Sequence, residues 1–204
     1  MVHQGGNSGG SSGGNGARRR LPVELRRAQI LDTAGSLFAE NGYNAVSTHA
    51  VAQACGVSEG LLFHHFPSKA EMYAAVVARR LDRLDATMEQ AIQELPPNSP
   101  KRDTVRALIV TYLDHIAEEP LSWAAVARGD TPAEAQFVGI ERRDGVVDKL
   151  LALVGDRPIA VSGFLGFVEA VCLDWVDAGC PATAREPIVA AALGALEGAL
   201  GDWG

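Results

Sequence analysis

Between Ser47 and Lys69 the chain reads S-T-H-A-V-A-Q-A-C-G-V-S-E-G-L-L-F-H-H-F-P-S-K, and no other stretch restricts its possible folds so strongly. Two short helical patterns, A-V-A-Q-A-C and G-L-L-F-H-H-F, flank Gly56-Val57-Ser58. Ser47 and Ser58 can each accept a hydrogen bond from the free N–H groups at a helix start. Gly56 can take the left-handed conformation that ends a helix. The reading is helix, tight turn, helix. Val51, Ala52, Val57, Leu62 and Phe66 pack the pair together, leaving Thr48, His49, Ser58, Gly60, Leu61, His64 and His65 near the outer face. In a helix-turn-helix the second helix enters the major groove and its outward side chains meet base edges and phosphates. An ordinary pair of core helices is the alternative that the turn alone leaves open.

The surrounding residues narrow that choice. Gly42-Tyr43 precedes Ser47-Thr48; Val51-Ala52 is followed by Gly56-Val57-Ser58; then come Gly60, Leu62, His65-Phe66 and Ser68-Lys69. Their order and spacing, starting near Arg26, resemble the DNA-binding domain of the TetR family of bacterial repressors. The resemblance implies phosphate contacts at Thr48 and Lys69, and base reading or approach at His49, Gly60, Leu61 and His65. Ser58, Phe63 and His64 complete the candidate DNA face. Phe63 departs from the family pattern, where Tyr usually offers its hydroxyl to a phosphate. Leu61 departs too, since a small Thr, Ser or Ala is commoner, and it can offer a base only apolar contact, such as to a thymine methyl. Protonation of the histidines would strengthen DNA binding below pH ~6.5.

An all-α chain is expected, in three parts: residues 1–20, a disordered Gly/Ser-rich arm carrying Arg18, Arg19 and Arg20; residues 21–68, a three-helix helix-turn-helix domain; and residues 69–204, a larger helical domain for ligand binding and dimerisation. Helix 1 should run from Val23 to Asn41, with Ile30, Ala34, Leu37 and Phe38 as its apolar stripe and Gly42 as its stop. Ser68 and Glu71 form a capping box at the start of helix 4. Lys69 in that first turn opposes the helix dipole and so needs another partner. Helix 4 then runs on as a lever into the larger domain.

Charge divides along the same line. Residues 1–80 hold 8 Lys or Arg against 5 Asp or Glu, whereas residues 81–204 hold 10 against 20. The overall charge of −7 is therefore compatible with DNA binding, because the positive charge lies where a duplex would.

Beyond residue 81 the spacing predicts helices over 101–118, 121–128, 132–154, 158–178 and 184–200. Thr131 with Glu134, and Thr183 with Glu186, read as capping boxes. The helix from Pro158 has almost no polar face and must be covered on several sides. The resemblance implies a homodimer formed by the last two helices as a four-helix bundle. Tyr112, His115, Trp123, Phe137, Phe167, Val171, Asp174 and Trp175 are candidate lining for an apolar small-molecule site, although an aromatic taken singly is more often core than pocket.

If the resemblance holds, two reading helices occupy successive major grooves of a palindromic operator, and a small-molecule effector releases the DNA. Alternatively the chain is an all-helical protein-interaction module or ligand binder without specific DNA binding. No enzymatic motif is found and no cofactor is expected. Cys55, Cys172 and Cys180 are odd in number and widely spaced, which indicates neither a disulfide framework nor a metal site. His64 and His65 point in different directions and no ligand set surrounds them. No segment reads as ~20 uninterrupted apolar residues of a membrane span, residues 1–16 lack a signal peptide's apolar run, and a cytoplasmic location is expected.

Overall fold

Ile30, Leu31, Ala34 and Phe38 recur at helical spacing and are buried, so the first helix forms because one of its faces has a core to enter. The computed structural model describes residues 1 and 22–201; the arm and its arginine cluster lie outside the described residues. Helix α1 is Val23–Ala45, α2 Thr48–Cys55, α3 Glu59–His65 and α4 Lys69–Gln93. After a loop come α5, Lys101–Glu118; α6, Pro120–Ala127; α7, Ala133–Val154; α8, Pro158–Asp177; and α9, Arg185–Leu200, the last preceded by a 3-10 turn at Ala182–Ala184. No strand occurs among the described residues.

Two buried clusters organise these helices. One joins α1 to α4 through Val51, Ala52, Leu62, Phe66, Met72 and Tyr73. The other joins α5 to α9 through Ile109, Leu113, Ile116, Cys172, Leu193 and Leu196. Helix α4 serves both ends. Its first half supplies Val76 and Val77 to the first cluster, and its second half packs on α5 and α7. Its 25 residues give it a length of about 37 Å. Ala135, among the described residues the only buried member of the first cluster beyond α4, comes from the opening turn of α7 and has no exposure at all.

Gly42 interrupts α1 as expected: at φ 78°, ψ 159° it is non-helical, and a further short turn runs on to Ala45 beyond the kink, where the Tyr43 ring lies 5.0 Å from that of Tyr73. Three local expectations are corrected. Thr131 does not cap α7, because Pro132 occupies the cap position and its carbonyl accepts from Ala135 and Gln136. Thr183 does not cap α9, because it lies within the 3-10 turn, and Glu186 instead accepts both guanidinium nitrogens of Arg106 at 2.9 and 3.0 Å. Finally, α8 is long and apolar enough to cross a membrane, with mean hydropathy 1.7 and 39% of its apolar window buried. Val161, Phe164, Val168 and Cys172 bury one side of it in the second cluster.

Candidate DNA-binding face and ligand cavity

The turn between α2 and α3 is built by the side chains that its sequence offers. Ser47 Oγ accepts from Ala50 N at 3.0 Å and Ser58 Oγ from Leu61 N at 3.2 Å, so both helix starts are capped. Gly56 sits at φ 64°, ψ 35°, and a Cβ there would meet no atom within 4 Å. Its requirement is therefore conformational and not steric. Leu62 and Phe66 face inward. His49, Ser58, Gly60, Leu61, Phe63 and His64 are exposed, while Thr48, His65 and Lys69 are partly covered.

Two contacts shape this surface. Lys69 Nζ lies 4.2 Å from the centre of the Tyr43 ring, a cation–π arrangement that aims the ammonium. His49 Nδ1 lies 2.9 Å from Glu59 Oε1, and Thr48 Oγ1 donates to the other Glu59 oxygen at 3.4 Å. Glu59, absent from the sequence-derived face, thus ties α2 to α3 on the outer surface; the signal for it was its place in the first turn of α3. Burial, then His64 and Arg27, holds the His65 pKa below its ordinary 6.5. Any gain in DNA affinity from protonating His65 consequently sets in at lower pH than for an unperturbed histidine.

The second feature is a cavity of about 930 Å³ bounded by α4 to α8. Leu81, Leu84, Val146, Leu150, Phe164 and Val168 form much of its apolar wall, and its size lies within the usual range for small-molecule sites. Tyr112, His115 and Trp123 line it. Trp123 Nε1 donates to Tyr112 Oη at 2.9 Å. The arginines of the lining are paired: Arg142 with Asp82 and Asp85, Arg143 with Glu169 at 2.8 Å, and Arg80 with Glu119.

The cavity does not include the other sequence candidates. Phe137 lies on the outside of α7 and is 59% exposed. Phe167, Val171 and Asp174 follow Gly163 at helical spacing along the outer stripe of α8, rotated away from Phe164 and Val168. Trp175 is buried in the second cluster, and its Nε1 donates to the Pro181 carbonyl at 3.1 Å, which fastens the α8–α9 connection.

Burial, and then Arg80, holds the His115 pKa below 6.5. The unfolded chain takes up this proton near pH 6.5 while the folded chain resists it, so stability is intact above that pH and falls below it. Thermal denaturation from pH 7 to about 5 should show a declining Tm, and His115→Gln should make the decline shallower. An equal slope in the variant would remove His115 as a cause.

Residues 30–76 match the family model described as bacterial regulatory proteins, tetR family. That segment is a TetR-family DNA-binding domain. Curated relatives include the HTH-type transcriptional activator FasR of Mycolicibacterium smegmatis, 34% identical over 61% of this chain and 56% of that protein. Another is the HTH-type transcriptional repressor KstR of Rhodococcus jostii, 27% identical over 62% and 58%. The match thus spans little more than half the length of either relative. Among solved structures, a tetR-family transcriptional regulator from Streptomyces coelicolor has a TM-score of 0.71 at 22% identity, covering 88% of this chain and 80% of that one. The matched segment contains the helix-turn-helix of α2 and α3.

Proposed function

We propose that this chain is a TetR-family transcriptional regulator that binds a palindromic operator as a homodimer, through residues 21–68, and that a small molecule in the cavity of residues 69–204 controls its occupancy of DNA. The observation that carries ligand control is the shared segment at the α6–α7 corner. Val126, Ala135 and Val138 pack in or against the α1–α4 cluster, while Trp123, Val126, Ala127, Gln136 and Gly139 line the cavity. A ligand that shifts this segment acts on both units at once, and it releases DNA by as much as it prefers the incompetent form. Repression follows where the operator overlaps a promoter.

The dimer is supported by glycine. Gly163, Gly166, Gly194 and Gly198 lie exposed on α8 and α9, and a Cβ at any of them would meet nothing within 4 Å inside the chain. Each costs roughly 0.5–1 kcal/mol of helix stability relative to alanine. Among the described residues nothing offsets that cost, whereas close approach of a second copy's helices would. Phe167 and Val171 extend the same face. On the DNA side, Thr48 and Lys69 would hold phosphates, with His49, Ser58, Gly60, Leu61, Phe63, His64 and His65 facing the groove.

A gel-shift titration on DNA immediately upstream of the coding region tests this reading. A discrete shift that weakens steeply with salt, and that Lys69→Ala with His65→Ala reduces at least about tenfold, is expected. Binding no tighter than to random DNA of the same length, at this site and across a genome-wide selection of bound fragments, would overturn it.

A further inference from the structure

The ligand's chemistry is legible from Tyr112. Its oxygen accepts the Trp123 indole N–H at 2.9 Å, and among the described residues none accepts Tyr112's own O–H. Tyr112 keeps accessible surface, lines the cavity, and carries a phenol that burial pushes above its ordinary 10. Such a hydroxyl stays protonated and can donate into the space it faces. Trp123 fixes its position by the hydrogen bond and by a T-shaped ring contact at 6.2 Å.

The charges around the cavity decide what kind of acceptor this donor meets. Arg80, Arg128, Arg142, Arg143 and Lys149 all line it, and each already faces an acid: Glu119, Asp177, Asp82 with Asp85, Glu169, and Asp85 respectively. A carboxylate or phosphate at these cations would have to compete with an acid already in place, and one held deeper, against the apolar wall, would be buried without a charged partner, which is costly. A neutral carbonyl needs only a donor. We infer that the cavity, taken as the effector site proposed above, binds an uncharged, carbonyl-bearing apolar molecule whose oxygen accepts from Tyr112 Oη and whose hydrocarbon lies against Leu84, Val146, Leu150 and Val168. Because Trp123 sits on α6, the same contact ties the ligand to the segment shared with the α1–α4 cluster.

Calorimetric titration of the full chain with decanone, decanoate and bromodecane at pH 8 tests the assignment. Decanone is expected to bind most tightly. Tyr112→Phe should weaken decanone about tenfold, as for loss of one hydrogen bond, and leave bromodecane, which has the chain without a strong acceptor, unchanged. The unchanged arm also shows that the variant has kept its cavity. Decanoate binding as tightly as decanone, or Tyr112→Phe binding decanone as wild type does, would overturn the assignment while leaving the cavity as a ligand site. Binding of none of the three would overturn the ligand site together with it.

Discussion

Replacing Gly166 with tryptophan is expected to yield a folded monomer that no longer forms a discrete operator complex. Gly166 is exposed on α8, and a Cβ there would meet nothing within 4 Å, so the indole has room within one chain. Helix propensity even favours the change by roughly 0.5–1 kcal/mol. In the proposed dimer the same position faces the partner's small residues, and a large ring there separates the helices. Losing the second reading helix removes the effective-concentration gain of bivalent binding, which is about 10²- to 10⁴-fold. Light scattering should report half the wild-type mass, with unchanged far-UV circular dichroism and a gel shift weakened by about a hundredfold or more. A variant that remains a dimer would refute the placement of the interface on this stripe.

The second large effect is expected from Leu62→Ala. Leu62 is 1% exposed and is the only buried residue of the seven-residue α3. A helix this short does not hold its shape alone, so its orientation depends on that one side chain and on Phe66 beside it. Truncating a buried leucine costs about 2–5 kcal/mol, a large part of the stability of a small domain. Hydrogen exchange should accelerate across α2 and α3 while amides of α8 and α9 keep their protection. DNA binding should be lost with dimer mass and decanone binding retained. Uniform acceleration through both regions would mean that the chain melts as one unit.

The reading half was legible because its determinants are local. Ser47, Gly56 and Ser58 act on backbone groups within three or four residues of themselves, so each can be recognised from a short window. Glu59 escaped because its partner, His49, is ten residues away on another helix. The cavity was only partly legible for a related reason. Searching for aromatics found Tyr112 and Trp123, yet the walls are chiefly aliphatic residues on α4 and α7, which in sequence look like any core stripe. Phe167, Val171 and Asp174 share one face, as their spacing implies, but spacing cannot say which face of an apolar helix turns toward a cavity and which toward another chain. The two misplaced capping boxes show the same limit at smaller scale: Pro132 and the Ala182–Ala184 turn take the cap positions that Thr131 and Thr183 would have filled.

The burial of Ala135 in the α1–α4 cluster bears on how such a protein can be engineered. A chimera that joins a foreign reading head to this chain at residue 68 or 69 would keep the covalent chain intact but leave the first turn of α7 meeting a surface that it was not shaped for. The head is not a portable cassette. A transplant meant to preserve the proposed ligand control has to carry across Val126, Ala135 and Val138 as well, so its seam is three-dimensional and includes residues some sixty positions beyond the cut.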